Sequence, residues 1–259
     1  MTARRLLILG GTGEAVALAR ATLARFGDAI SVTTALAGRT RNPGPIPGNV
    51  RIGGFGGPAG LGAFLVEHRI DRLIDATHPF AAEISHSARL AAERAGVRRL
   101  MLLRPRWKRH PLDRWIEVDS IEAAASLVGR IGRCALLTVG AGTAAAFARS
   151  EGVRFIVRLI EPPRTELPLP RYQIICGRGP FSLEYERQLL RQYGVDVLVC
   201  KASGGTATEA KLVAAREAGL PVIMVRRPPR EPGEAVESIE AALDWLADTD
   251  RRQAEGGSP

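Results

Sequence analysis

Short, wholly apolar runs alternate along this chain with segments whose apolar residues return every three or four positions. The first run, Leu6-Leu7-Ile8-Leu9, offers no polar residue to either side of a pleat, as a strand covered on both faces requires. After Gly10-Gly11-Thr12-Gly13 the period becomes helical: Ala15, Val16, Ala19, Leu23 and Phe26 fall on one side, and Gly27 is placed to stop the helix. The same change of period recurs. Strands are expected at 29–33, 50–52, 72–75, 99–103, 114–118, 134–139, 154–160, 173–176, 195–200 and 221–225, with helices between most of them and a last helix at 236–247. Asp119 with Glu122, and Thr206 with Glu209, have capping-box spacing for two of these helices.

Alternation of this kind builds parallel sheets with helices on both faces. A second series begins at Cys134, where a strand again runs into a glycine turn, Gly140-Ala141-Gly142-Thr143. The expected fold class is α/β: two Rossmann-like, doubly wound parallel-sheet domains facing a cleft. Residues 1–131 are expected in the first domain, 132–249 in the second, and 250–259 in a polar tail. The pattern does not exclude strands exchanged between the halves.

Charge changes this picture in one respect. The formal net charge is +9, and 33 of the 36 basic residues are arginine. They are scattered, without the aromatic-interleaved basic patch of a nucleic-acid surface. Nucleic acid is therefore not an expected partner. A small ligand bearing several carboxylates or phosphates is, because the guanidinium fork suits both groups. The apolar run after Arg4 and Arg5 ends at Gly10, short of the about 7–15 residues of a secretory core, and no run approaches the ~18 residues of a membrane span. The expected location is the cytoplasm, with no membrane partner, and the expected state is a monomer. Cys134, Cys176 and Cys200 are far apart, lack C-x-x-C spacing and lie among apolar residues. They read as buried free thiols, and no metal is expected.

Candidate chemistry gathers at strand ends, where open parallel sheets bind ligands. Gly10, Gly11, Thr12, Gly13 and Glu14 form a strand–glycine–helix junction suited to a pyrophosphate. The spacing departs from G-x-G-x-x-G, since Val16 holds the sixth position counted from Gly11, and the same turn serves equally as a tight structural corner. No acid ends the second strand to hold ribose hydroxyls, while Arg39 and Arg41 follow it, which favours NADP over NAD. Gly53 and Gly54, within Gly53-Gly54-Phe55-Gly56-Gly57, suggest a second close approach to a cofactor. Thr77 is placed at the cofactor, and His78 is a candidate proton donor that could equally be structural. Lys201, one of three lysines, precedes Ser203 and Gly204 at a helix start, which places Lys201 at the chemistry and the other two at the cofactor.

Taken together, Leu9 through Ala15, Gly53 through Gly57, Asp75-Ala76-Thr77-His78-Pro79-Phe80-Ala81, Arg104-Pro105-Arg106-Trp107, Gly177-Arg178-Gly179-Pro180-Phe181 and Lys201-Ala202-Ser203-Gly204-Gly205 resemble the precorrin-6A reductase family of cobalamin biosynthesis. The resemblance implies two Rossmann-like domains without the full glycine fingerprint. It also implies NADPH as cofactor and reduction of precorrin-6A to precorrin-6B. The family's Lys-Asn-Ser-Gly-Gly stretch has Ala202 in place of its Asn, which removes any side-chain amide there. On this reading Arg104, Arg158 and Arg178 hold the acetate and propionate arms of the tetrapyrrole. The alternatives are an NADP-dependent reductase of another small substrate and a non-catalytic tetrapyrrole binder. The Tyr-x-x-x-Lys pair of short-chain reductases is absent, since none of Tyr172, Tyr185 and Tyr193 has a lysine four residues on.

Overall fold

A computed structural model of the chain describes residues 3–38 and 44–255. It divides into two compact units, one of residues 1–104 with 228–259, the other of residues 105–227.

The first unit is built on a six-stranded sheet. Its strands are β1 (Arg4–Leu9), β2 (Ile30–Leu36), β3 (Asn49–Ile52), β4 (Arg72–Asp75), β5 (Arg98–Leu102) and, from the far end of the chain, β12 (Ala235–Val236). All pair parallel, in the order β3-β2-β1-β4-β5-β12. This is the doubly wound order, whose switch point falls between β1 and β4. The apolar run of β1 is buried because both faces are covered. Leu6 and Ile8 pack with α1 (Gly13–Phe26) and α7 (Ile239–Glu255), while Leu7 and Leu9 pack with α2 (Gly57–Glu67) and α3 (Ala82–Ala95).

The second unit repeats the plan. Its strands are β6 (Arg114–Val118), β7 (Cys134–Leu137), β8 (Arg154–Leu159), β9 (Tyr172–Cys176), β10 (Val197–Lys201) and β11 (Pro221–Val225). They pair parallel in the order β9-β8-β7-β10-β11-β6, with the switch point between β7 and β10. One face carries α5 (Leu183–Tyr193) and α6 (Ala210–Glu217), whose Leu189, Leu190, Leu212 and Ala215 pack on Leu136, Leu198 and Val222. The helix α4 (Ile121–Ile131) buries Ala124, Ala125 and Val128.

The structure corrects several expectations. The division is not at residue 131: β6 and α4 belong to the second unit, and β12 and α7 return to the first. The first sheet thus takes its sixth strand, β12, from beyond the second unit's segment, whereas all six strands of the second sheet lie in one continuous stretch of chain. The buried stripe of α7 includes Ala242, Leu243 and Leu246, and it joins the core around α1. The cap of α4 is Ser120, whose hydroxyl accepts from the Ala123 amide at 3.1 Å, one residue after the expected Asp119. Thr206 and Glu209 form no capping box; a 3₁₀ turn, Thr206–Thr208, precedes α6.

The turn at Gly140 also differs. It leads into a 3₁₀ segment, Ala141–Phe147, and not into an α-helix. Gly140 has φ +88°, and the Thr143 hydroxyl donates to the carbonyls of Val139 (2.9 Å) and Gly140 (3.0 Å). Among the described residues no helix is long and apolar enough to cross a membrane.

Candidate active site

The turn after β1 sits at the first switch point. Thr12 caps α1: its hydroxyl accepts from the Ala15 amide at 3.1 Å and donates to the Ala76 carbonyl at 2.7 Å. One side chain thereby fixes the helix start and ties it to the segment leaving β4. The three glycines have different tasks. At Gly10 a Cβ would lie 2.8 Å from Thr34 Cγ2, so glycine is needed there for packing against β2. Gly11 has φ +99°, and at Gly11 and Gly13 a Cβ would meet nothing within 4 Å. The backbone is thus bare on its open side, beside the amides of a first helical turn, which have no intrahelical partner. This arrangement fits a phosphate group.

Glu14 and Arg104 are brought together. Arg104 Nε lies 2.6 Å from Glu14 Oε1, and Nη2 donates to Oε2 at 2.6 Å, a fork on both oxygens. Arg39, with Arg41, lies outside the described residues. Arg51 organises Gly53 and Gly54 from below: its Nη2 donates to the Gly54 carbonyl at 3.0 Å and its guanidinium lies 4.0 Å from the Phe55 ring centroid. The Gly53 amide donates to the Leu36 carbonyl at 2.9 Å.

After β4, the buried Asp75 carboxylate accepts from the Thr77 amide (3.1 Å) and the Thr77 hydroxyl (2.6 Å). The half-buried His78 accepts the Phe80 amide on Nδ1 at 3.2 Å. That bond leaves the proton of the neutral ring on Nε2.

In the second unit, Lys201 ends β10 at the switch point, and its carbonyl accepts from the Ser203 amide at 2.7 Å. The turn that follows is fastened from outside. The Gly205 amide donates to the Pro105 carbonyl at 3.1 Å, and Trp107 Nε1 donates to the Gly205 carbonyl at 2.8 Å. Arg227 donates to the carbonyls of Ala202 (2.7 Å) and Ser203 (2.9 Å). Gly204, at φ +68°, presses on Pro105, where a Cβ would fall 2.1 Å from the carbonyl oxygen. Gly204 is therefore glycine for packing.

Arg158 and Arg178 part company. Arg158 lies 2.7 Å from Glu186 in a pair whose side chains are 8% and 3% exposed, and its guanidinium stands 4.5 Å from the Phe181 ring centroid. Phe181 in turn lies against Gly177 and Gly179 and stacks on Tyr185 with centroids 5.0 Å apart. Arg158 thus organises the turn on which Arg178 is exposed.

Residues 5–247 match the precorrin-6x reductase family, CbiJ/CobK. The chain belongs to this family. It is 43% identical to precorrin-6A reductase of Rhodococcus erythropolis over 249 residues, covering 96% of this chain and 99% of the relative. Precorrin-6A reductase of a Sinorhizobium species is 45% identical over 94% of each chain. Cobalt-precorrin-6A reductase of Salmonella typhimurium is 31% identical over 93% of this chain and 96% of its own. Among solved structures, the CobK precorrin-6A reductase superposes with TM-score 0.90 at 37% identity, covering 95% of this chain and 96% of its own.

Several residues that shape the site of this precorrin-6x reductase family member escaped the sequence reading. Glu186 carried a usable signal, being an acid in the i, i+3, i+4 stripe with Leu189 and Leu190 that α5 buries. Lys211 is similar, buried on α6 with Nζ donating to the Thr208 carbonyl at 2.8 Å and 5.1 Å from the Trp107 ring centroid. Arg227 gave no sign among so many arginines. The cysteines are free, but only Cys134 and Cys200 are buried; Cys176 is exposed at the end of β9, because that edge strand lacks full cover. Burial pushes the Cys200 thiol up to about 11, against weaker opposite pulls from Lys211 and Arg158, so it stays protonated and inert at neutral pH.

Proposed function

We propose that the chain reduces precorrin-6A to precorrin-6B with NADPH, as a step in cobalamin biosynthesis. The observation that carries the placement of the cofactor is the contrast between the two glycine turns. The turn after β1 opens a 14-residue α-helix capped by Thr12. The turn after β7 opens only a 3₁₀ segment. A long helix directs its amides and its dipole at a phosphate; a 3₁₀ segment does so poorly. NADPH therefore belongs on the first unit, with Gly11, Thr12 and Gly13 at its phosphates, Gly53, Gly54 and Thr77 along its length, and Arg39 at the additional ribose phosphate.

Bound there, NADPH supplies the hydride that reduces one double bond of the ring, and a proton completes the reduction. The chain's own residues orient the two partners, and proximity of this kind supplies roughly 7–11 kcal/mol at best. His78 either donates that proton from its imidazolium form or only positions the ring, with solvent as the proton source. Lys201, at the end of β10, and Ser203, on the fastened turn that follows, serve the acidic tetrapyrrole on this reading. Arg178 holds a carboxylate arm. Arg104 and Arg158 serve instead through Glu14 and through Phe181 and Glu186.

The higher identity to precorrin-6A reductases (39–45%) than to the cobalt-precorrin-6A reductases (31–36%) favours a metal-free ring. The unpaired cysteines suit the reducing cytoplasm. Following the loss of NADPH absorbance with precorrin-6A tests the assignment. Arg178→Ala is expected to raise KM for the tetrapyrrole at least tenfold while changing kcat and the KM for NADPH little, the signature of lost uniform binding. A fall in kcat at unchanged KM would remove Arg178 from that role.

A further inference from the structure

We infer that Arg104 is a positioning residue for the dinucleotide: it holds and neutralises the Glu14 carboxylate so that the amides opening α1 can take a pyrophosphate. The inference rests on the reading that NADPH occupies this turn.

Glu14 is the second residue of α1. An acid in the first turn suits the positive end of an empty helix. It also competes with an incoming diphosphate for that same end, and repels it. Arg104 resolves the conflict. Its fork meets both carboxylate oxygens at 2.6 Å, and its side chain is only 14% exposed against 32% for Glu14. The cation is thus held beside the helix start, and the acid is turned onto it. Arg104 ends the first unit's leading segment, two residues beyond β5, so the strand end delivers it there. A guanidinium engaged by both forks with Glu14 is poorly placed to serve as a receptor for a substrate carboxylate. A lysine would keep the charge and lose the two-point hold.

The test is titration of wild type, Arg104→Gln, Glu14→Gln and the double variant with NADPH and NADH, read by nucleotide fluorescence without the tetrapyrrole. Arg104→Gln is expected to weaken both nucleotides about tenfold, the size of an uncompensated charge at a helix end. Both should suffer because the diphosphate is common to them, and the loss should shrink at high ionic strength. Glu14→Gln should bind at least as tightly as wild type, and the double variant should return to within about threefold of wild type. Arg104→Lys should fall between wild type and Arg104→Gln, and it serves as the probe if the glutamine variant does not fold. A double variant as weak as Arg104→Gln, or a loss confined to NADPH, would mean that Arg104 meets the nucleotide directly and would overturn the inference. So would unchanged binding by Arg104→Gln. Absence of binding by wild type would overturn the reading of the turn, and this inference with it.

Discussion

Replacing Arg158 with alanine is expected to destabilise the second unit by about 3–5 kcal/mol, the cost of stranding one partner of a buried ion pair. The Glu186 side chain is 3% exposed, and its Oε2 has no hydrogen-bond partner among the described residues. Arg158 meets the other oxygen at 2.7 Å. Without it, a carboxylate remains in an apolar setting beside Leu189 and Leu190. Removing both charges avoids that cost, so Arg158→Met with Glu186→Leu is expected to recover most of the loss. Urea unfolding of wild type, Arg158→Met, Glu186→Leu and the double variant gives the cycle, with Arg158→Ala measured beside them. A loss below about 1 kcal/mol in Arg158→Ala, the range of exposed pairs, would show that the carboxylate is solvated. The same substitution removes the cation beside Phe181, so the turn carrying Arg178 should loosen and KM for the tetrapyrrole should rise.

Gly204→Ala is expected to cost about 2–4 kcal/mol, combining left-handed backbone strain with overpacking. Its φ is +68°, and the added carbon would fall 2.1 Å from the Pro105 carbonyl oxygen and 2.2 Å from Arg227 Nη2. The arginine can move aside. The carbonyl cannot without shifting the segment that enters the second unit, and Lys201 and Ser203 would shift with the turn. Gly11→Ala makes the comparison. Its φ of +99° also resists a side chain, but nothing lies within 4 Å of the added carbon. There the loss should be smaller in stability and larger in NADPH affinity. Melting temperature and nucleotide titration separate the two. Equal destabilisation by both substitutions would mean that Gly204 is not a packing glycine.

The part of this fold that could be read from sequence is the part determined locally. Leu6 to Leu9, the three glycines and the stripe of α1 lie within one short stretch, and each enforces the next. The sheet to which β6 and β12 belong is not decided locally. Arg114 to Val118 reads as a strand wherever it pairs, and only its register against Pro221–Val225 assigns it to the second sheet. Ala242, Leu243 and Leu246 likewise reveal a buried face without revealing which sheet it covers.

The site divides in the same way. Positions demanding backbone chemistry, Gly11 and Thr12, were visible in the glycine turn. Positions whose charge is spent internally were not. Arg104 and Arg158 looked like receptors for an acidic ligand because their partners, Glu14 and Glu186, become partners only once the strands are in place. The turn at Gly140 matches that at Gly10 in glycine content, yet it leads into a 3₁₀ segment and not an α-helix.

The most direct test of the account is a crystal structure of the chain with NADPH. The diphosphate is expected within hydrogen-bond distance, about 3 Å, of the amides between Gly11 and Glu14. A nucleotide seated instead at Gly140–Thr143, with the turn after β1 empty, would contradict it.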